Sequence, residues 1–198
     1  MRLCGDLSGR RVLDLGCGDG AYTLLAAKKG ASAVGLDISP EMLKAARSRA
    51  DAEGTQVSWC QASIGAIPFA SNAFDIIIAV TVLCFIDNSD SAVKEAARVL
   101  RPGGSLVIAE LGKYSAWAVS RRVRGWLGSR TWSGARFWTV RELRRAMEAA
   151  GLRFDSAEGC VYYPPVALLA EALSPFDRGL SRLGRYGAAF IVVKATKR

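Results

Sequence analysis

The stretch Val12-Leu13-Asp14-Leu15-Gly16-Cys17-Gly18-Asp19-Gly20 decides the fold of this chain. Its short apolar run predicts a strand, and a helical pattern begins at Ala21, directly after the third glycine. Glycine reaches positive φ values and has no Cβ, so the backbone of such a turn can come close to a bound molecule. The N–H groups of the first helical turn point into the same space. The stretch therefore predicts a strand, a tight turn and a helix around a ligand site.

A carboxylate follows this turn at the distance expected for ribose recognition. The second predicted strand, Ala31 to Asp37, ends in an acid about twenty residues after the first glycine. The glycines Gly16, Gly18 and Gly20 are spaced G-x-G-x-G, whereas dinucleotide-binding proteins use G-x-G-x-x-G. Asp14, inside the first strand, would oppose a pyrophosphate but suits a cationic amino group. The sequence therefore predicts a nucleoside ligand.

Composition excludes several classes of protein. The chain has 198 residues, of which 51% are hydrophobic, and this predicts one globular domain rather than a disordered protein. Neither a membrane-spanning run nor a signal segment is found, so we expect a cytoplasmic protein. The five cysteines are scattered and lack C-x-x-C spacing, and histidine is absent, so neither a disulfide framework nor a metal site is expected.

Positive charge is concentrated in one segment. The chain carries 27 lysines and arginines against 18 acids, a net charge of +9. Residues 112–137 contain no acid, and their basic and aromatic residues are Lys113, Tyr114, Trp117, Arg121, Arg122, Arg124, Trp126, Arg130, Trp132, Arg136 and Phe137. A basic segment with interleaved aromatics suits a nucleic acid, an anionic membrane surface or an acidic small substrate.

Strand and helix patterns alternate along the chain. Helices are predicted from Ser39, a capping residue followed by proline, to Ala52, then at Ser89–Leu100 and Thr139–Ala150. Further strands are predicted at 56–61, 74–80, 105–110, 152–162 and 188–194. This alternation indicates parallel strands joined by right-handed crossovers, with the ligand at their carboxyl ends. The pairing of the last two strands is left open by the pattern.

Four motifs in order resemble a known family. Val12–Gly20 resembles motif I of the class I S-adenosylmethionine-dependent methyltransferases, and Gly35–Ser39 resembles their ribose-binding segment. Ile67-Pro68-Phe69 with Phe74-Asp75 is similar to their "LPF…FD" signature, and Leu100–Gly104 to their "L-x-P-G-G" turn. Together these motifs are typical of the type 11 methyltransferase domain group, and the similarity runs from Arg11 to about Gly151.

This resemblance implies both a fold and a domain organisation. The fold is an α/β, Rossmann-like three-layer sandwich with a seven-stranded, mostly parallel sheet whose last strand is antiparallel. Residues 1–198 are expected to form a single class I methyltransferase domain. Segments 112–137 and 164–186 are expected to be substrate-side insertions, since few residues precede Arg11 to cover the site.

The resemblance also implies a cofactor site for S-adenosyl-L-methionine. The three glycines would present backbone to the methionine moiety, Asp14 would lie near its ammonium and Asp37 would hold the ribose. Ile38 and Met42 would pack on the adenine, although a core contact is the alternative for Met42. Where the family has an acid for the adenine amino group, this chain has Ser63. The cofactor residues expected are Asp14, Gly16, Cys17, Gly18, Gly20, Asp37, Ile38, Met42, Ser63, Ile64, Val80 and Thr81.

A methyltransferase acting on a small-molecule acceptor is the function that this resemblance implies. In-line positioning of an acceptor against an activated methyl group supplies much of the rate, so a base is optional. The sequence does not identify a catalytic base; Glu110, Asp87, Tyr22 and Tyr114 lie near the predicted strand ends. Cys84, where many relatives carry a histidine, is expected to line the pocket.

The role of segment 112–137 and two other functions stay open. Ala116, Ser120, Val123 and Leu127 share one helical face, so the segment fits a lid over an apolar or anionic substrate. It also fits a surface helix with a solvated basic face, or a peripheral membrane or RNA contact. An RNA or DNA methyltransferase would use this segment, but Thr81-Val82-Leu83-Cys84 lacks an Asn/Asp-Pro-Pro-Tyr-like motif for a flipped base. A non-catalytic S-adenosylmethionine-binding protein is the other alternative. Sequence alone does not determine the oligomeric state.

Overall fold

The computed structural model describes residues 2–129, 132, 134–161 and 187–198, and within them one seven-stranded sheet. The strands are β1 (Arg11–Leu15), β2 (Ser32–Asp37), β3 (Ser58–Gln61), β4 (Phe74–Val80), β5 (Leu100–Leu111), β6 (Leu152–Cys160) and β7 (Phe190–Lys197). The α-helices are α1 (Ala21–Lys28), α2 (Pro40–Ala52), α3 (Ser89–Val99), α4 (Ala116–Trp126) and α5 (Val140–Ala149). Short 3-10 helices lie at Arg2–Cys4 and Leu83–Phe85.

The strand order is β3-β2-β1-β4-β5-β7-β6. The pairs among β1 to β5 are parallel, whereas β7 is antiparallel to both β5 and β6. This confirms the predicted mostly parallel sheet with an antiparallel last strand. It also settles the pairing of the last two strands, because β7 lies between β5 and β6. The predicted insertion 164–186 falls outside the described residues.

Helices cover both faces of the sheet because its central strands are apolar on both sides. Ile77 packs in a cluster with Val93 of α3 and Leu143 of α5. Ile76 and Ile78 face the other way, in a cluster that contains Ala26 of α1. These two cores produce the three layers of the expected sandwich. Among the described residues, no helix is long and apolar enough to cross a membrane.

Local signals at two helix starts are confirmed, and one strand is longer than expected. The hydroxyl of Ser39 accepts a hydrogen bond from the Met42 N–H at 3.2 Å, with a proline in the first turn of α2. At the start of α5, Thr139 and Glu142 form a reciprocal capping box. The prediction that residues 101–104 precede the fifth strand is wrong, because β5 begins at Leu100. The pairing with β4 is irregular there, as in a β-bulge, and Gly103 has φ 75°.

Helix α4 confirms the helical pattern of segment 112–137 but inverts the expected arrangement of its faces. Ala118 is fully buried against the domain. The guanidinium of Arg121 lies between aromatic rings, 5.1 Å from the ring centre of Trp132 and 5.2 Å from that of Phe190. Val123, on the helical face shared by Ala116, Ser120 and Leu127, is 41% exposed. The apolar face indicated by the sequence is therefore not the face through which α4 packs on the domain.

Candidate cofactor and active site

A cavity of about 530 Å³ opens where β1, β2 and β4 end. Each of these parallel strands contributes residues near its carboxyl end, where open α/β sheets bind ligands. With the exception of Gly20, every residue expected to contact the cofactor lines this cavity: Asp14, Gly16, Cys17, Gly18, Asp37, Ile38, Met42, Ser63, Ile64, Val80 and Thr81. Tertiary structure thus brings together residues from four separate sequence segments.

The glycine loop approaches the cavity with a bare backbone. Gly16 and Gly18 have φ values of 66° and 53°, in the left-handed region that favours glycine. A Cβ on Gly16 would lie 2.3 Å from a methyl carbon of Val82, so this position brings the loop against the turn after β4. No atom lies within 4 Å of a Cβ built on Gly18. The space beside Gly18 is therefore open to a ligand.

Gly20 was expected to contact the cofactor but does not line the cavity. It forms the N-cap of α1 with φ 79°, and a Cβ there would lie 2.5 Å from the indole of Trp59. A Cβ on Gly35 of β2 would also lie 2.5 Å from this indole. The two glycines therefore make room for the Trp59 side chain under the loop. Gly20 sets the position of α1 rather than lining the cavity.

Asp14 is a buried carboxyl group at the floor of the cavity. It is 2% exposed, and its Oδ2 accepts a 2.7 Å hydrogen bond from the hydroxyl of Thr23 on α1. Burial raises the pKa of Asp14 to about 7, although the hydrogen bonds from Thr23 lower it. No lysine or arginine pairs with this group among the described residues. An entering ammonium group would supply the missing positive charge.

Asp37 organises the glycine loop as well as facing the cavity. Its Oδ2 accepts a hydrogen bond from the Gly18 N–H at 2.8 Å, and its Oδ1 accepts one from the Ser39 N–H at 2.9 Å. A carboxylate offers about four lone-pair sites, so acceptor capacity remains for two hydroxyl groups. The sequence pattern indicated the acid but not its bond to Gly18, which depends on the pairing of β1 with β2.

Apolar side chains form one wall of the cavity. Ile38 is 68% exposed and Met42 is 44% exposed, although both are large hydrophobic residues. A flat aromatic base would cover this surface, with Ile64 as a further apolar contact. The exposure of Met42 excludes the alternative of a core contact. Ser63 is less available than expected, because its hydroxyl already accepts a hydrogen bond from the Gly65 N–H at 3.2 Å.

A strained turn after β4 forms the opposite boundary. Thr81 has φ 50°, an unusual value for a β-branched residue, and lines the cavity with Val82. The Oε1 atom of Glu110, at the end of β5, accepts hydrogen bonds from the N–H groups of Val82 at 3.0 Å and Leu83 at 2.7 Å. This carboxyl group is fully buried, and burial raises its pKa to about 7. Glu110 therefore holds the turn in place from behind.

The candidate catalytic residues are separated by the structure. Tyr22 of α1 lines the cavity and is 42% exposed. Glu110 does not line it, because its carboxyl group lies under the turn. Tyr114 lines a second cavity of about 520 Å³ beside α5, together with Trp138. Asp87 is exposed and is absent from the lining of the cofactor cavity.

The residues that follow β4 differ in whether they line the cavity. Cys84 is 1% exposed beside Glu110, and burial raises the pKa of its thiol, so the expectation that it lines the pocket is wrong. The cavity is instead lined by Val82, Phe85 and Ile86, which sequence reasoning missed. Their position just beyond a strand's carboxyl end was the available signal.

The glycine loop, the acid at the end of β2 and the antiparallel β7 define the class I S-adenosylmethionine-dependent methyltransferase fold. The sequence model of the family described as "Methyltransferase domain" matches residues 13–108. The chain belongs to this family of S-adenosylmethionine-dependent methyltransferases. The site fits the cofactor of this class: Gly18 leaves open space, and Asp14 is a buried acid without a basic partner among the described residues.

The chain is also similar to individual methyltransferases over longer stretches than the family match. The ubiquinone biosynthesis O-methyltransferase of Idiomarina loihiensis is 30% identical over 164 residues, which cover 80% of this chain and 68% of that protein. The demethylmenaquinone methyltransferase of Tropheryma whipplei (strain Twist) is 40% identical over 109 residues, or 55% of this chain and 45% of the relative. The chain spans 45–66% of the length of the first curated relatives that it matches.

A crystal structure shows the same fold over nearly the whole chain. The S-adenosylmethionine-dependent methyltransferase of Mesorhizobium loti superposes with a TM-score of 0.73 at 22% identity. The match covers 99% of this chain and 94% of that protein. At this identity the likeness supports the fold alone, and the chemistry is argued from the site.

Proposed function

We propose that this protein transfers the methyl group of S-adenosylmethionine to a small, largely apolar aromatic acceptor. The observation that carries the proposal is the single cavity that joins the glycine loop and Asp37 to an apolar end formed by Val82, Phe85 and Ile86. The polar end suits the cofactor, and the apolar end suits a ring. One cavity can therefore hold donor and acceptor in contact.

The residues of the chain bind and orient, while the bound cofactor supplies an activated methyl group on its sulfonium. Asp37 would accept hydrogen bonds from the ribose hydroxyls, and Asp14, which lines the same cavity and is buried, would pair with the ammonium group. Ile38 and Met42, which line the cavity, would cover the adenine. The strained Thr81 turn, held by Glu110, fixes the boundary against which an acceptor packs. Positioning of this kind supplies much of the rate in a group transfer.

The relatives support an aromatic acceptor. Those reported above are named for ubiquinone biosynthesis and for demethylmenaquinone, which are quinone compounds. Phe85 is 50% exposed at the cavity, so an acceptor ring can stack on it. If the acceptor atom is a hydroxyl oxygen, Tyr22 is the one residue among the named catalytic candidates that lines the cavity, and we assign its phenol group the role of orienting that hydroxyl by a hydrogen bond while the proton leaves to solvent.

Calorimetric titration tests the cofactor assignment first. S-adenosylmethionine and S-adenosylhomocysteine should bind with micromolar affinity, and NAD should not bind. Asp37→Ala should weaken S-adenosylmethionine binding by about tenfold or more, because it removes the proposed ribose contact and the hydrogen bond with the Gly18 N–H. Asp87→Ala, an exposed carboxylate outside the cavity lining, is the matched control. Binding of NAD in place of the adenosyl ligands would contradict the proposal.

Transfer of a tritiated methyl group tests the acceptor class. Catechols and naphthoquinols represent apolar aromatic acceptors, and transfer RNA represents the nucleic-acid alternative. Turnover on the aromatic compounds, lowered by Phe85→Ala, supports the proposal. Turnover on transfer RNA alone would assign the chain to the other class.

A further inference from the structure

The outward surface of α4 is apolar. Val119, Val123, Trp126 and Leu127 are 60%, 41%, 84% and 81% exposed. At 3.6 residues per turn these four positions fall within about 100° of arc and form one stripe along the helix. We call these four residues the α4 stripe. Water-facing helix positions are normally polar, so a stripe that includes a tryptophan indicates a contact surface.

The α4 stripe is not needed to attach the helix to the domain. Attachment uses the opposite face, where Ala118 is fully buried and the hydroxyl of Ser115 caps the helix by accepting from the Ala118 N–H. The Arg121 guanidinium adds three aromatic contacts at 5.1–5.2 Å, with Trp117, Trp132 and Phe190. With respect to the described residues, the apolar outward side chains are therefore available to a second molecule.

Charge beside the stripe indicates what that molecule is. Arg122 and Arg124 flank the stripe on its two sides in the helical projection, and residues 112–137 contain no acid. We propose that the α4 stripe inserts into the surface of a membrane that contains anionic lipids. Interfacial helices have this composition: Trp and Leu enter the acyl boundary while arginines bind the headgroups.

The two other occupants fit less well. A second copy of the chain would bring a net charge of +9 and the same arginines against this face. A nucleic acid would meet aliphatic and indole groups at the centre of the face, where phosphates need donors. An anionic lipid surface satisfies both the apolar centre and the basic flanks.

The position of α4 also relates the membrane to the cavity. Trp132, which stacks on Arg121, lies 6.3 Å from the ring centre of Phe85, and Phe85 lines the cavity. A membrane-bound α4 would therefore bring the apolar end of the cavity close to the lipid surface. Delivery of a lipid-dissolved acceptor rests on the proposed function, whereas membrane binding does not.

Co-sedimentation with sucrose-loaded vesicles tests the proposal on the full chain. Vesicles of phosphatidylcholine and phosphatidylglycerol in a 3:1 ratio should bind the protein, and pure phosphatidylcholine should bind it more weakly. Trp126→Ser with Leu127→Ser should lower partitioning by about tenfold or more, because two large apolar side chains no longer enter the bilayer. Arg122→Gln with Arg124→Gln should also lower it, most strongly at low salt.

Leu25→Ser is the matched control, since Leu25 is 39% exposed on α1 and should leave partitioning unchanged. Circular dichroism and S-adenosylmethionine titration check that each variant folds, and the titration reports a failure of the proposed function separately. Absence of binding to the anionic vesicles, or equal binding by the Trp126 and Leu127 variant, would overturn the proposal. So would a dimer or a transfer-RNA complex in place of vesicle binding.

Discussion

The Glu110 carboxylate and the Leu83 N–H lie 2.7 Å apart, so the end of β5 is hydrogen-bonded to the turn that follows β4. The same carboxylate oxygen accepts a hydrogen bond from the Val82 N–H. Thr81, the residue before Val82, has φ 50°. A strained turn persists only where its surroundings hold it, and here one buried carboxyl group does so from the neighbouring strand.

Removal of this carboxyl group should affect both stability and cofactor binding. Glu110→Ala leaves two N–H groups without an acceptor, and we expect a loss of about 3 kcal/mol in the free energy of unfolding. Glu110→Gln keeps an oxygen acceptor and should lose about 1 kcal/mol or less. Urea unfolding and S-adenosylmethionine titration measure the two effects, with Asp87→Ala as the surface control. An alanine variant with wild-type stability and affinity would contradict the role of Glu110.

The stability of the cofactor-free protein should fall as the pH rises from about 5 to 8. Burial raises the pKa of Asp14 and of Glu110 to about 7, while both groups titrate near pH 4 in an unfolded chain. Between these values the folded state binds more protons than the unfolded state. The free energy of unfolding therefore declines with pH, by at most about 1.4 kcal/mol per unit for each group.

The stabilisation that comes from the raised pKa values of Asp14 and Glu110 is complete below the pKa that these groups have in the unfolded chain. It is lost as the pH passes through 7. Urea unfolding at several pH values measures it. The double variant Asp14→Asn with Glu110→Gln should show a flatter profile over the same range. A wild-type profile that rises between pH 5 and 8 would mean that these carboxyl groups stay ionised in the folded protein.

Cofactor affinity should change with pH in the opposite direction. An ammonium group pairs with the ionised form of Asp14, so binding releases a proton below pH 7, and the dissociation constant should decrease between pH 6 and 8. Asp14→Asn should remove this dependence. Adenosine is the control ligand, because it has no amino acid moiety to meet Asp14. Equal pH dependence for adenosine would place the titrating group elsewhere.

Gly18 and Gly20 should respond differently to the same substitution. Gly18→Ala places a methyl group in open cavity space, so we expect a modest stability cost and about tenfold weaker S-adenosylmethionine binding. Gly20→Ala drives a methyl group into Trp59, at 2.5 Å, and should lower stability by about 1–3 kcal/mol. Thermal unfolding measures the stability of both variants and calorimetry measures their cofactor binding. Each variant is the control for the other. The reverse assignment of effects would contradict the loop geometry.

Tyr22→Phe tests whether the Tyr22 phenol orients the acceptor in the cavity. If the acceptor is a hydroxyl, kcat should fall by about tenfold or more while the dissociation constant for S-adenosylmethionine stays unchanged. Tyr114→Phe is the matched control, because Tyr114 lines the other cavity. Wild-type kcat in the Tyr22 variant would mean that the phenol group does not orient the acceptor.

The sequence by itself determined the features that depend on near neighbours. The strand, loop and helix around Gly16 and Gly18 follow from apolar runs and glycine conformation, and the Ser39 cap follows from a side chain that bonds three residues ahead. The cofactor class also belongs here, because it was implied by the resemblance of four short motifs between Val12 and Gly104 to those of a known family.

Only the tertiary structure decided the features that depend on which segments become neighbours. Glu110 reaches Leu83 because β5 pairs with β4, and that pairing is not encoded at any short spacing. Gly20 leaves room for the indole of Trp59, which is 39 positions away in the sequence. The inward face of α4 carries Arg121 because aromatic rings from distant segments surround it, and helical periodicity alone did not decide which face packs. Periodicity reports which residues share a face, while packing decides where that face points.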